Sequence, residues 1–428
     1  MKKTLLVLSV LSAAIAQSPD PERLAAALQE RALLDNVSRL STDQKILMYQ
    51  KLREAKPENL RYHNLLATAY LQKMRETTDP AFLASASRVI DEVLAADSAN
   101  YEALRIQNEI HLENHDFKKA AASSRALTRI APEDPWNFGT LGDALMETGD
   151  YNGAAEAYQK MMNLRPDLAS YNRAAWYRYV AGDAAGAIEV MKLAVASGSR
   201  SPEHVAWCLV ELGNLYLRTN NTRDAAASFA RATKLLPNYH PALAGVGKTL
   251  AVTGDLIGAI QAYSLAWSAT PLPEYAAALH DLYRKTGNEA EAKKQLAMLD
   301  MLDRMGQAAK EKGNRSLANA YSNAGYKLDR ALALAKAEID IRQDVFSWDA
   351  LAWALYKNAR YEEAAEAAAK ALSMGTPEAQ FYYHAGMIAA ALGKKDEALK
   401  HLQRALELNP SFDLTHAQVA RQKLEELS

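Results

Sequence analysis

A pair of histidines at helical spacing is the first arrangement in the chain that could do chemistry. His111 and His115 are four residues apart in a segment that we expect to be helical, and two imidazoles at this spacing can bind Zn²⁺. The residue that follows His111 is Leu112, whereas metalloproteases have a glutamate directly after the first histidine. Because the sequence indicates no third ligand, we predict that the protein has no metal site.

A phosphate-binding loop is suggested by three residues, Gly247, Lys248 and Thr249. Such a loop also needs an upstream glycine and a preceding strand, and the sequence indicates neither. Gly247 instead occupies a small-residue position in the helical pattern described below. We therefore predict that these residues form part of a helix and bind no nucleotide.

A catalytic nucleophile is not indicated either. The single cysteine, Cys208, lies between Trp207 and Leu209, which predicts a thiol packed among apolar side chains, and one cysteine cannot form an internal disulfide. No Gly-x-Ser-x-Gly elbow or paired-cysteine zinc pattern occurs in the sequence. We predict that the protein is not an enzyme and uses no cofactor.

Composition narrows the class of protein further. The chain has 428 residues, with 50 lysines and arginines against 51 aspartates and glutamates, and this balance argues against nucleic acid as the main partner. Only 19 glycines and 14 prolines are present, which favours helices over β structure. Past the N-terminal apolar run, no segment is apolar enough to suggest a transmembrane helix.

The helices that must position any site are predicted by a repeated pattern, clearest between Trp348 and Pro410. The first copy reads Trp348, Leu351, Ala352, Leu355, Ala364, Ala371 and Pro377, and the second reads Tyr382, Ala385, Gly386, Ala389, Ala398, Leu402, Ala405 and Pro410. The two copies superimpose when Ala364 is aligned with Ala398. The pattern and its period, about 34 residues, resemble the tetratricopeptide repeat (TPR), a helix–turn–helix unit. The resemblance implies an all-α fold, a right-handed superhelical solenoid of about ten TPR helix–turn–helix hairpins.

One small residue in each second helix defines the predicted register. These residues are Ala86, Ala120, Ala154, Ala187, Ala225, Ala259, Ala292, Ala331, Ala364 and Ala398. Their spacing stays close to the TPR period of about 34 residues, except for longer intervals after Ala187 and after Ala292. Because each hairpin must stack on its neighbours to bury its apolar face, we expect the two longer intervals to bend the array near residues 197–202 and 306–314.

The segments outside the repeats have their own patterns. Lys2 and Lys3 precede an apolar run that ends at Ala16, a pattern typical of a bacterial secretory signal peptide. We expect cleavage after Ala16 and a periplasmic or secreted protein whose mature chain has no transmembrane segment. The predicted organisation is a signal peptide at 1–16, N-terminal helices or a cap at 17–56, the TPR solenoid at 57–410 and a capping helix at 411–428.

The resemblance also implies a binding surface. In TPR proteins the second, fifth, ninth, twelfth and thirteenth residues of each first helix line a concave groove. A first groove cluster comprises Trp136, Asp143, Glu147, Trp176, Tyr179, Trp207, Asn214 and Arg218, and a second groove cluster comprises Phe346, Asp349, Trp353, Tyr356, Lys357 and Tyr383, with Met387. Large aromatic side chains are typical anchors of binding surfaces. The alternative is that these rings pack between repeats.

Function follows from the resemblance as an expectation. We predict a non-enzymatic scaffold or adaptor of the bacterial cell envelope that binds a protein or peptide segment in its groove, and no nucleic acid. The main alternative is a glycan-binding or polysaccharide-export accessory module in which Trp136, Trp176 and Trp207 stack on sugar rings. Self-association through an exposed end of the array is a further alternative.

Overall fold

The structure of the protein is a computed structural model that describes residues 21–38, 40–199, 201–309, 311 and 313–428. The predicted signal peptide lies outside these residues, as do Arg200 in the first predicted bend and Lys310 and Lys312 in the second. All regular secondary structure in the described residues is α-helical, with 23 helices. The predicted all-α fold of paired helices is confirmed.

The helices alternate as first and second members of hairpins. Two helices come before the first hairpin, α1 (Pro21–Ser38) and α2 (Thr42–Ala55). The first helices are α3 (Leu60–Thr77), α5 (Tyr101–Glu113), α7 (Pro135–Glu147), α9 (Leu168–Val180), α11 (Pro202–Arg218), α13 (His240–Thr253), α15 (Pro273–Lys285), α17 (Arg315–Ala324), α19 (Val345–Lys357) and α21 (Ala379–Ala391). The second helices are α4 (Pro80–Ala96), α6 (Phe117–Ile130), α8 (Tyr151–Leu164), α10 (Ala184–Ser197), α12 (Thr222–Leu235), α14 (Leu256–Ala269), α16 (Glu289–Ala308), α18 (Leu328–Ile341), α20 (Tyr361–Ala371) and α22 (Lys395–Leu408). A last helix, α23 (His416–Leu427), follows the tenth hairpin.

The predicted register of small residues is confirmed. Each of the ten alanines that define it is at most 2% exposed. A glycine in the first helix often faces a bulky side chain of the second: a Cβ on Gly142 would lie 2.3 Å from the Tyr158 ring, and one on Gly213 would lie 2.6 Å from the Phe229 ring. Small residues therefore let the two helices of a hairpin approach closely, and the resulting apolar faces stack along the array.

One local expectation about a helix end needs correction. His115 lies outside α5 with a φ of 59°, because α5 ends at Glu113 and His111 is in its last turn. The two histidines therefore do not share a helix face.

The solenoid curves far enough for distant repeats to touch. The amide of Gln343 donates to the carbonyl of Glu147 (2.8 Å), the Thr376 hydroxyl to that of Val180 (2.6 Å) and the Asn409 side-chain amide to that of Leu217 (2.8 Å). The last two contacts join residues 196 and 192 positions apart. We call these three hydrogen bonds the closure contacts.

The closure contacts have a simple physical basis. Their acceptors lie at the ends of α7, α9 and α11, where the last carbonyls of a helix have no partner within it. Their donors lie in the connections that follow α18, α20 and α22. Close approach is possible because the turns after α7 and α9 contain glycines with positive φ, Gly149 (80°) and Gly182 (95°). A Cβ on Gly149 would lie only 3.0 Å from the carbonyl oxygen of Gln343.

Across the described ranges, none of the helices combines the length and apolar character needed to cross a membrane.

Candidate functional site: the concave surface and its cavity

The α7 part of the first groove cluster is held by an arginine from the next hairpin. Trp136, Asp143 and Glu147 are seven and eleven residues apart, so they share one helix face. Arg173 pairs with Asp143 at 2.7 Å and lies over the Trp136 ring at 5.2 Å, and the Tyr158 hydroxyl donates to Asp143 at 2.9 Å. Asp143 therefore has its partners within the chain.

The two predicted groove clusters meet where the solenoid closes. Trp176 stacks on Phe346 with ring centroids 5.4 Å apart. The Tyr179 hydroxyl donates to Glu378 at 3.0 Å, and Arg218 pairs with the same carboxylate at 3.0 Å. Trp176 and Tyr179 thus join distant repeats, and Tyr179 is fully buried.

Part of the second groove cluster is core, which corrects its predicted placement. Trp353 and Tyr383 are each 2% exposed. Trp353 stacks on His384 at 4.1 Å and donates its indole N–H to Asn323 at 2.8 Å, while Tyr383 stacks on His416 of α23 at 4.9 Å. Rings that pack between helices in this way cannot present their faces to a partner.

The remaining members of the second cluster surround this core. Tyr356 stacks on Trp353 at 4.8 Å, and the ammonium of Lys357 lies 5.2 Å from the centroid of the same ring. Asp349 pairs with the buried His384 at 2.9 Å. Here the alternative reading, packing between repeats, describes the rings better than an open groove.

Trp207 is different, because 43% of it is exposed. It lies on α11 seven residues before Asn214 and eleven before Arg218, so helix geometry places the three side chains in one row. Asn214 and Arg218 line a cavity inside the curve of the solenoid. The row therefore leads from an exposed aromatic ring into that cavity.

The cavity has a volume of about 640 Å³, within the usual range of roughly 300–1,000 Å³ for ligand sites. The first helices of six consecutive hairpins, α11 to α21, contribute to its wall, together with residues 409–414 and α23. Apolar side chains include Phe346 and Phe381, and polar ones include Lys248 and Asn319. The closure of the solenoid thus brings residues from opposite halves of the array around one space.

Lys248 is one of the charged groups in this wall that sequence reasoning did not assign to the groove. Its side chain reaches solvent, but that solvent lies inside the curve of the array. Burial by the surrounding protein lowers the pKa of Lys248, and the nearby charge of Arg218 lowers it further. Lys248 follows Asn214 by one repeat period, so extending the groove register to the next hairpin would have found it.

Two carboxyl groups at the ends of first helices, on α5 and α7, have shifted pKa values. Burial raises the pKa of Glu113 to about 7, against the opposing charge of Arg75. Burial, and then the negative charge of Asp344, raises the pKa of Glu147 to about 7, although Arg342 lies 3.2 Å away.

The residues that could have served in catalysis or metal binding are packed within the fold. Cys208 is fully buried, and burial raises the pKa of its thiol to about 12, which confirms the predicted packed thiol. Among the described residues, no three His, Cys, Asp or Glu side chains come together as a metal site. Gly247 and Thr249 are buried within α13, as the helical interpretation of this segment requires.

Comparisons with known proteins were made for sequence and for structure. Among curated proteins, none matches the chain. Among solved structures, the chain is similar to one described as the functional characterisation of Pseudomonas aeruginosa pilF (16% identity, 47% of this chain and 91% of that chain, TM-score 0.41). It is also similar to PilW, described as a widely conserved type IV pilus biogenesis factor (15%, 47% and 92%, TM-score 0.42), and to the APC/C hetero-tetramer Cut9–Hcn1 (13%, 95% and 95%, TM-score 0.35).

The family comparison is more specific than these distant likenesses. A profile described as "Tetratricopeptide repeat" matches residues 140–202, 210–272 and 350–411. The matched segments include most of the two clear copies of the repeat pattern and most of the hairpins that bear the closure contacts. The profile thus identifies tetratricopeptide repeats in these three segments of the chain.

Proposed function

We propose that the protein is a non-enzymatic scaffold that holds a segment of another protein on its concave surface. Arrays of TPR hairpins are typical protein-interaction surfaces. The observation that carries the proposal is the row on α11, where the exposed ring of Trp207 leads to Asn214 and Arg218 in the cavity wall. A segment lying along this row would find an aromatic anchor at one end and hydrogen-bonding side chains at the other.

A binding test follows from the exposure of Trp207. Replacing Trp207 by Ala should weaken the binding of peptides selected from an array of random sequences by about tenfold or more, since anchor truncations cost roughly 2 kcal/mol or more. The melting temperature should stay nearly constant, because 43% of this residue is exposed.

The matched control is Ile257→Ala, which removes an apolar side chain that is 61% exposed on a second helix. This change should leave peptide binding intact. Equal binding by wild type and the Trp207 variant would contradict the proposed surface. Binding that responds to glycans and not to peptides would favour the glycan alternative.

We further propose that the protein acts in the bacterial cell envelope after export. The support is the sequence pattern of residues 1–16, with two lysines before an apolar run that ends in small residues. Cell fractionation followed by N-terminal sequencing should find a mature chain that begins at Gln17 in the periplasm or medium. A full-length protein in the cytoplasm would contradict this proposal.

A further inference from the structure

The acidic groups in the cavity wall are already engaged within the chain. Glu378 accepts hydrogen bonds from Tyr179 and Arg218. Asp349 is paired with His384 at 2.9 Å. Asp413 accepts from the backbone amides of residues 415 and 416 at 2.8 and 2.7 Å, and Asp281 contacts its neighbour His280 at 2.9 Å. These carboxylates are therefore poorly placed to bind a cation from solution.

The cationic groups of the same wall are only partly used. Lys248 and Lys285 both line the cavity, and neither forms an ion pair with any described residue. Arg218 uses its Nε for Glu378, but its buried Nη1 has no hydrogen-bond partner in the described part of the chain. A buried donor without a partner costs free energy, so an anion next to this guanidinium would be favoured.

The electrostatics of Lys248 agree with this imbalance. Burial by the surrounding protein, and then the charge of Arg218, lower the pKa of Lys248, against the opposing charges of Glu211, Glu274 and Glu378. Both residues line the cavity, so an anion placed beside them would favour the charged form of Lys248.

Part of the wall is apolar. Phe346 and Phe381 form a T-shaped pair with centroids 5.1 Å apart on one side, and Val252, 39% exposed, lies one helical turn beyond Lys248 on α13. A ligand for this cavity should therefore combine a negative group with an apolar group next to it.

We propose that the cavity is the receptor for an acidic segment of a protein partner, in which an Asp or Glu carboxylate binds Lys248 next to the Arg218 guanidinium and a neighbouring apolar side chain packs against the Phe346 wall. This inference rests on the proposed scaffold function and specifies its partner chemistry. The cavity volume of about 640 Å³ admits a few residues rather than a folded domain. The partner segment would therefore enter as an extended chain.

The test uses isothermal titration calorimetry with two unlabelled octapeptides, acetylated and amidated so that only side chains carry charge. One alternates Glu with Leu and Phe, and the other has Gln in place of every Glu. The full-length mature protein should bind the Glu peptide at least about tenfold more tightly than the Gln peptide. In the Lys248→Gln variant most of this preference should be lost, because each tenfold corresponds to about one good charged contact.

The matched control is Lys234→Gln, which removes an exposed lysine on α12 outside the cavity wall. It should leave the preference intact. Equal losses from the two lysine variants would overturn the inference, because they would indicate attraction by overall charge. If millimolar succinate displaces the Glu peptide and occupies the site to the same extent, the cavity binds small carboxylates. That result would also overturn the inference.

Two outcomes separate this inference from the function on which it rests. If both peptides bind wild type equally and Trp207→Ala weakens both, the scaffold proposal stands and the assignment of the cavity falls. If neither octapeptide binds, the assignment falls again, and the random-sequence array decides the scaffold proposal by itself.

Discussion

At the scale of residues, the contacts between helices depend on positions where a Cβ is missing. Gly213 and Gly245 approach the same ring, that of Phe229, from two successive first helices. Phe229 is completely buried. One aromatic side chain of a second helix thus fills the space that two glycines leave, and it links adjacent hairpins.

Gly245→Ala should therefore destabilise the protein. The added Cβ would lie 2.2 Å from the Phe229 ring, and overpacking of this kind costs about 1–3 kcal/mol. Urea unfolding measures the change in free energy of unfolding. Combining the change with Phe229→Leu should cost less than the two single changes together, because the smaller side chain makes room. Additive costs would show that the predicted clash does not occur.

A second residue-scale prediction concerns pH. The folded protein raises the pKa of Glu113 from 4.5 to about 7, so it holds this proton more tightly than the unfolded chain does. The contribution to stability is therefore present below pH 4.5 and is lost as the pH rises through 7. Glu113→Gln stays neutral throughout, so it should be more stable than wild type at pH 8 by about 1–2 kcal/mol.

Urea unfolding between pH 4 and pH 8 measures this difference. The control is Glu102→Gln, which changes an exposed glutamate on the same helix α5 and should leave the pH dependence of wild type unchanged. A Glu113→Gln variant with the same pH dependence as wild type would refute the assignment.

At the scale of elements, α23 completes the packing of the tenth hairpin. Ala420 is completely buried against α21 and α22, in the cluster that also contains Trp353, Tyr383 and Leu402. His416 at the start of α23 stacks on Tyr383. These contacts agree with the prediction that residues 411–428 cover the last hairpin. That role stays a prediction.

Ala420→Arg should uncover this part of the core. A charged side chain cannot enter a fully buried position without losing its hydration, so α23 should detach and the exposed apolar face of the hairpin should promote aggregation. Light scattering and the melting temperature measure the effect. Glu425→Arg on the exposed face of the same helix is the control and should change neither. A soluble, stable Ala420 variant would contradict the role assigned to α23.

At the scale of the whole molecule, closure of the solenoid decides which surfaces a partner can reach. The closure contacts, the Trp176–Phe346 stack and the Arg218–Glu378 pair all join the middle repeats to the last ones. They bound the concave groove on one side and so form a half-open cavity. A partner of the cavity must enter from its open side or separate these contacts.

Hydrogen exchange can test the closure directly. The amide of Val345 donates to the hydroxyl of Tyr151 at 2.8 Å, although the two residues are 194 positions apart. Tyr151→Phe removes this acceptor, so amides in residues 343–347 should exchange faster, and the lost hydrogen bond should cost about 1–3 kcal/mol. Tyr361→Phe is the matched control, since Tyr361 likewise opens a second helix but packs on Tyr356 of its own hairpin. Equal exchange in both variants would mean that the middle and the last repeats do not meet in solution.

The sequence by itself determined the repeat, the helix pairs and the ten buried alanines, because these depend on periodicity within a single repeat and its neighbour. It also identified Trp207, Asn214 and Arg218 as one helix face. Only the tertiary structure decided that Trp353 and Tyr383 are core, that Trp176 meets Phe346 and that Lys248 lines a cavity shared by distant repeats. The reason is that the curvature of the array is the sum of a small rotation at every repeat. A contact between the middle and the last repeats therefore cannot be predicted from the sequence of any single segment.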